Sequence, residues 1–405
     1  MIDSGDTAWV LAASALVLLM TPGLAFFYGG LVRKKNIVST IMYSFVTIGL
    51  VGIVWVLWGY SLAFGNDVEG WKFIGDLGWF GLKDVSANEP GPYSDTIPHQ
   101  AFMIFQAMFA IITPALVTGA FAERMKFSAL CIFIVLWVTI VYAPLAHWVW
   151  GGGWLGDLGA LDFAGGTVVH ISAGAGALVS ALIIGRRVGF PEQPMGPANV
   201  PMVVLGAALL WFGWFGFNAG SSLAADGVAT NAFVVTNTAA AAAMMAWLFM
   251  SWMIDKKPSA VGAASGAVAG LVAITPAAGF VGPMPALIIG LGAGVFCYSM
   301  VKLLLKLRVD DALAVFGVHG IGGIWGALAT GLFVGVGYAA LGDGVSRVEQ
   351  IFYQLIAIGA AFGWSFVVTG IIMLAIKYTI GLSADEEGEG MGLDLTEHGE
   401  AAYEP

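Results

Sequence analysis

Long stretches of this sequence contain no Asp, Glu, Lys or Arg, among them 37–66, 98–122, 127–156, 163–185, 197–225, 227–254, 258–301, 312–342 and 350–376. Each is longer than the roughly 20 apolar residues that carry an α-helix across a bilayer, and the longest can hold two crossings. A water-soluble chain has about a quarter of its residues charged. Here 10% are charged and 59% are hydrophobic. The alternating segments of roughly ten residues that build a membrane β-barrel are missing. Lipid offers no partner to an unpaired backbone amide, so helices are the remaining solution. The chain therefore reads as an all-α integral membrane protein, a multi-pass protein of the cell membrane.

The segment from Pro276 to Pro285 divides the longest window. The predicted spans are then 8–31, 37–64, 98–122, 127–150, 163–185, 200–221, 227–254, 259–277, 284–305, 312–335 and 349–380. Arg33, Lys34 and Lys35 follow the first, Arg124 and Lys126 the third, Arg186 and Arg187 the fifth, and Lys256 and Lys257 the seventh. Lys302, Lys306 and Arg308 close the ninth, and Lys377 lies near the end of the eleventh. Thirteen of the 16 basic residues thus fall on one side, leaving Lys72, Lys83 and Arg347 on the other. The positive-inside rule puts that crowded side in the cytoplasm, with the N-terminus outside. The chain divides into a membrane domain, 1–380, and an acidic cytoplasmic tail, 381–405. The N-terminal MIDSGDTAW has no basic n-region, so the first span is expected to be retained.

The net charge of −10 arises from clusters: eight of the 26 acids lie in the last 25 residues, and six between Asp67 and Asp95. There is no basic stripe for nucleic acid. Cys131 and Cys297 fall in apolar windows as packing residues, with no disulfide framework, metal site or cofactor implied. No nucleophile–base cluster points to an enzyme. Glycine makes up 57 residues, about twice the usual share. Runs such as Gly174-Ala175-Gly176-Ala177 and Gly320-Ile321-Gly322-Gly323 let helix backbones approach closely.

Polar groups deep in a span are costly and mark function by default. His170 lies in the fifth span and His319 in the tenth. Each follows a valine, each has an aspartate eight residues before it (Asp162, Asp311), and each has a glycine four residues after it (Gly174, Gly323). The fifth span runs inward and the tenth outward, so one pattern occurs twice with opposite polarity. That is the mark of a five-plus-five inverted repeat, here with an extra C-terminal helix, and of a solute path near the midplane. Eight helical residues rise about 12 Å, which sets each aspartate near a membrane face and its histidine near the centre. A lone membrane histidine more often bonds a neighbouring helix; two at matching repeat positions favour a pore. Asp162, Asp310 and Asp311 sit where carboxylates cap helix starts, so capping is the expectation for all three, with a direct solute ligand as the alternative.

The stretch Asp162-Phe163-Ala164-Gly165-Gly166-Thr167-Val168-Val169-His170, running on to Gly185-Arg186-Arg187, is similar to the signature of the ammonium transporter (Amt/Mep/Rh) family. So are Gly119-Ala120-Phe121-Ala122-Glu123-Arg124, Gly213-Trp214-Phe215-Gly216-Phe217-Asn218-Ala219-Gly220-Ser221 and Phe316-Gly317-Val318-His319-Gly320. The tail motif Gly392-Leu393-Asp394, His398-Gly399-Glu400 and Tyr403 extends the resemblance over essentially the whole chain. The resemblance implies a homotrimer with a pore for ammonium or ammonia in each subunit. It also implies that Phe109, Trp150 and Ser221, with Phe105 beside them, form an external recruitment site. Phe109 and Phe217 would be a paired gate, and His170 and His319 the twin histidines of a hydrophobic pore. Asp162 would be a structural residue near the pore. Rh-type members lack the aromatic and serine set, so its presence points to the Amt branch. In this family the tail docks beneath the trimer, and a PII-type signal protein can plug the cytoplasmic exit.

The chemistry fits these residue types. Ammonium has the size and charge of potassium but donates hydrogen bonds in fixed directions and can lose a proton. Aromatic faces attract a cation by roughly 0.5–2 kcal/mol as water is removed, and a serine oxygen can accept one N–H. Phe105 with Phe109, and Phe217 with Ser221, are spaced to share a helix face. A bare cation between apolar walls meets a severe Born cost. Two neutral imidazoles, one donating to the other's bare nitrogen, can accept and return a proton or hydrogen-bond ammonia. The rival readings are an ammonium sensor with little transport, an Rh-like ammonia gas channel, and a cation symporter. A sensor usually carries an appended signalling domain, and about 25 residues follow the last predicted helix here. His147 is expected in an interfacial aromatic belt beside Trp148 and His99 in a loop. The tail from Ser383 onward, rich in acid and without a base, is expected to lack order when alone.

Overall fold

A computed structural model describes residues 1–403, and the predicted spans appear in it as helices whose ends agree within four residues. They are α1 (Ser4–Leu31), α2 (Lys34–Phe64), α3 (His99–Thr118), α4 (127–150), α5 (Gly166–Ile184), α6 (Val200–Ser222), α7 (Gly227–Asp255), α8 (Ala260–Ile274), α9 (Pro283–Lys306), α10 (Phe316–Phe333) and α11 (Arg347–Thr379). Ten are long and apolar enough to span a bilayer, and α8, with 15 residues, is the short one. Helix α3 is almost wholly enclosed by the others, whereas α11 is largely exposed at the periphery. Outside the spans, a small antiparallel pair, β1 (Pro90–Gly91) and β2 (Ser94–Pro98), leads into α3.

The two histidine-bearing helices open alike. Asp162 accepts the backbone N–H groups of Gly165, Gly166, Thr167 and Val168 and the hydroxyl of Thr167. Asp311 accepts those of Val315 and Phe316. Both are caps, as expected, because a carboxylate satisfies amides that have no partner at a helix start. Each helix begins with a π-helical turn, Gly166–Ile171 and Phe316–Gly320, and each histidine lies inside one. Such turns widen the helix locally and concentrate at functional sites. Gly174 abuts Gly320, and Gly323 abuts Gly166. As one residue number rises the other falls, so α5 and α10 cross antiparallel, in keeping with the repeat.

Asp310 does not cap α10. It is fully enclosed, accepts the backbone and guanidinium N–H groups of Arg187, and pairs with Arg124 at 3.3 Å. Glu123, also buried, takes Arg33, Arg187 at 2.6 Å and the Asn36 amide at 2.7 Å. Burial alone would raise the Asp310 carboxyl, but the Arg187 hydrogen bonds and the charges of Arg124 and Arg187 hold it below the usual range. Sequence alone suggested a cap because it does not show two arginines from other loops converging there.

The tail is folded against this hub. Two short helices, α12 (Glu386–Met391) and α13 (Leu393–His398), lie under the bundle. Asp394 accepts the Ser39 N–H at 2.8 Å and Glu397 the Phe127 N–H at 3.0 Å. The tail carboxylates thereby satisfy the starts of α2 and α4, two helices whose first turns lack side-chain caps of their own. That supplies the order which its composition alone could not; Glu404 and Pro405 lie outside the described residues. On the opposite side, His147 is fully buried rather than interfacial. One ring nitrogen meets the Ala63 carbonyl at 3.1 Å and the other Asp67 at 3.3 Å. His99 is buried at the start of α3, bonded to the Tyr60 hydroxyl at 2.6 Å and edge-on to Trp79.

Candidate functional site: a vestibule, a phenylalanine pair and two histidines

Phe109 of α3, Trp150 at the end of α4 and Ser221 at the end of α6 meet around one cavity of about 310 Å³, which Gln106, Phe163 and Tyr93 also line. The indole N–H of Trp150 donates to the Asp162 carbonyl at 2.9 Å, leaving its ring to the cavity. Ser221 donates its hydroxyl to the Phe217 carbonyl at 2.8 Å, leaving its lone pairs free. Both donors are spent within the protein. These two residues therefore offer the cavity acceptor lone pairs and a π face, features suited to a cation with N–H groups. Phe105 is wholly buried and stacks edge-on to Phe109 at 5.0 Å, one layer behind the wall.

The floor of the cavity is the Phe109–Phe217 pair, with ring centroids 4.3 Å apart. Phe109 contacts Trp150 above at 6.0 Å, and Phe217 stacks over His170 below at 6.0 Å. The two phenylalanines thus separate the vestibule from the histidines.

Beneath them His170 and His319 lie nearly parallel, with Nδ1 facing Nδ1 at 3.3 Å. Two such nitrogens bond only if one carries the hydrogen and the other is bare. In a neutral pair the ring with the bare Nδ1 carries its proton on Nε2, and the other ring presents a bare Nε2. The pair thus offers the pore one donor and one acceptor. His170 Nε2 is buried and has no hydrogen-bond partner among the described residues. Leu24, Ile112, Val169, Trp214 and Val268 close around the rings and leave about 10 Å³. That is about the smallest volume that holds one water. A hydrated cation does not fit such a passage; a molecule of ammonia's size does once the ring side chains shift. Below His319 the space opens again to about 310 Å³, lined by Tyr28, Ser251, Ser265 and Val318 among others.

Phe109, Trp150, Ser221, Phe217, His170 and His319 therefore share one track, with Asp162 holding both the Trp150 indole and the start of α5. Sequence reasoning missed Trp214, whose ring stacks on His170 at 5.4 Å and whose N–H donates to Thr275 at 2.8 Å. It sits three residues before Phe217, a helical spacing that would have flagged it. Gln106 was missed as well, although a polar residue within a charge-free window meets the rule that singled out the histidines.

The chain matches the sequence profile of the Ammonium Transporter Family over residues 8–403. It is 53% identical to an ammonium transporter of Bacillus subtilis over 406 aligned residues, covering 99% of this chain and 98% of that one. With ammonium transporter Amt1 of Archaeoglobus fulgidus the identity is 47%, covering 99% and 100%. The fold is similar to the crystal structure of Saccharomyces cerevisiae Mep2, with a TM-score of 0.87 and 39% identity over 95% of this chain and 88% of that one. It is also similar to a structure titled Sensor Amt Protein, at a TM-score of 0.90 and 32% identity over 97% and 98%. Aligned along nearly its whole length with relatives that carry the same architecture, this chain belongs to the ammonium transporter family.

Proposed function

We propose that this protein moves ammonium across the cell membrane, recruiting the cation at the outer vestibule and passing it as ammonia between His170 and His319. The observation that carries this reading is the vertical order of the groups. A cation-attracting cavity stands over an aromatic constriction, which stands over a hydrogen-bonded imidazole pair. Trp150 and Phe109 hold the ion by their faces while Ser221 accepts an N–H. Phe109 and Phe217 must part for passage. Past them no counter-charge stabilises a cation, so shedding a proton lowers the barrier. The bare nitrogen of the imidazole pair accepts that proton and returns it, and the pair titrates as a unit.

Family membership supports a homotrimer with one pore per subunit, the N-terminus outside and the tail in the cytoplasm. A PII-type signal protein at the cytoplasmic exit is a partner consistent with the same membership. A second reading, ammonium sensing with little flux, draws on the similar structure titled as a sensor. Concentration-dependent current in reconstituted vesicles decides between them. Ammonium should drive a saturable current, and Ser221→Ala and Trp150→Leu should each raise the half-saturating concentration several-fold, the scale of roughly 1 kcal/mol. Binding without current would support the sensor, and unchanged saturation in both variants would remove the vestibule as the recruitment site.

A further inference from the structure

Gln106 is the one long polar side chain in the middle of α3, and it faces the outer vestibule. It lies on the same helix face as Phe102 and Phe109, at spacings of four and three residues, and all three line the cavity with Trp150 and Ser221. The residue is 8% exposed, and its Oε1 is buried with no hydrogen-bond partner among the described residues. The other polar side-chain groups on this wall are engaged. Tyr93 donates to the Phe64 carbonyl at 2.6 Å, Trp150 to that of Asp162 and Ser221 to that of Phe217. An unpaired amide oxygen in so enclosed a place is costly, and turning it toward the cavity lets a donor that enters there satisfy it. Half a turn about the last side-chain torsion exchanges Oε1 and Nε2 without disturbing other atoms, and that torsion is soft. The carbonyl therefore reaches the vestibule at little cost.

We propose that Gln106 positions the substrate: its side-chain carbonyl accepts a second N–H from the ammonium ion whose first is taken by Ser221. The proposal rests on the vestibule being the recruitment site. Two acceptors on different helices, α3 and α6, fix the orientation of a tetrahedral donor between aromatic faces, which neither does alone. Ammonium has four N–H groups and methylammonium three, with a methyl in the fourth direction. Two acceptors can both be met by either ion, but they restrict where the methyl of methylammonium can point, and so favour the unsubstituted ion. Potassium, which lacks directional donors, gains little from two oxygens after losing its water.

The test compares wild type, Gln106→Met, Gln106→Glu and Ser221→Ala in reconstituted vesicles, reading current against ammonium and against methylammonium concentration. Gln106→Met, close in shape but without an acceptor, should raise the half-saturating ammonium concentration roughly three- to tenfold with maximal current little changed. Its methylammonium curve should move less, so that the preference for ammonium shrinks. Gln106→Glu keeps an acceptor of the same length and should saturate at or below the wild-type concentration. Unchanged saturation in Gln106→Met beside a raised value in Ser221→Ala overturns the role of Gln106 and leaves the recruitment site standing. No change in either variant removes both. Equal weakening in the Met and Glu variants overturns the proposal in favour of packing. Should Gln106→Met fail to assemble, Gln106→Glu decides alone, a half-saturating concentration above wild type being the contrary result.

Discussion

A Cβ on Gly174 would stand 2.3 Å from the Cα of Gly320, so the helix bearing His170 touches the helix bearing His319 backbone to backbone. The mirror contact holds at Gly323, where a Cβ would meet the Gly166 carbonyl oxygen at 2.9 Å and the Cβ of His170 at 3.1 Å. The glycine four residues after each histidine is thus what brings the two rings within hydrogen-bond range.

Gly174→Ala should therefore push α5 and α10 apart at a cost of about 1–3 kcal/mol. We expect a lower thermal midpoint and a strongly reduced ammonium current from whatever assembles. Gly363→Ala, with nothing within 4 Å of the added carbon, serves as the control and should be neutral. Equal behaviour of the two variants would detach the helix crossing from function.

Asp162 and Asp311 hold matching places but carry unequal loads, since Asp162 serves four amides and a hydroxyl while Asp311 serves two amides. Each buried amide left unsatisfied costs about 1–3 kcal/mol. Asp162→Ala should abolish assembly, Asp162→Asn should retain part of it through its remaining oxygen, and Asp311→Asn should be the mildest. Yield of folded protein by size-exclusion chromatography, then vesicle uptake, gives the ranking. Normal uptake by Asp162→Ala would show that the cap is dispensable.

The cluster of Asp310, Glu123, Arg124 and Arg187 has a pH signature. Asp310 is held below its ordinary value of 3.8 by Arg187 and Arg124 in spite of burial. A depressed carboxylate contributes stability above the unfolded value and loses it as pH falls through the folded one. The thermal midpoint of the wild type should fall on acidification from pH 4 towards its depressed value. Asp310→Asn, which leaves two guanidiniums short of charge, should be destabilised by about 3–5 kcal/mol at neutral pH and respond less to acid. An acid response undiminished in Asp310→Asn would assign it to other carboxylates.

The charge bias predicts an orientation with the N-terminus outside. Ala87 and Ser383 are exposed on loops at opposite ends of the spans. A thiol at Ala87→Cys should react with an impermeant reagent from outside, and one at Ser383→Cys only after the inner face is opened. Labelling of both from one side would contradict the eleven-span arrangement.

The lengths and positions of the helices were legible because charge is excluded from a bilayer almost without exception, and so the gaps between charges mark the spans. The twin histidines were legible because His170 and His319 sit in one repeated frame of aspartate, valine and glycine. What stayed hidden depends on loops distant in sequence meeting at one point. Asp310 reads as a cap until Arg124 and Arg187 are seen to converge on it, and His147 reads as interfacial until Asp67 folds over it. The tail reads as disordered because its order comes from the bare amides of Ser39 and Phe127, hundreds of residues away. The π-helical turns around both histidines leave no compositional trace, since they change the winding and not the residue types.

If the two imidazoles act together on the substrate's proton, neither ring suffices alone. Ammonium and potassium currents would be recorded side by side in vesicles for wild type, His170→Ala and His319→Ala, with oligomer assembly verified for each. Removing either ring leaves the other without its Nδ1 partner, 3.3 Å away in the native pair. Ammonium current is expected to be near zero in both variants, with none carried by potassium in the wild type. Wild-type ammonium current in both alanine variants would reduce the histidines to packing and contradict the mechanism.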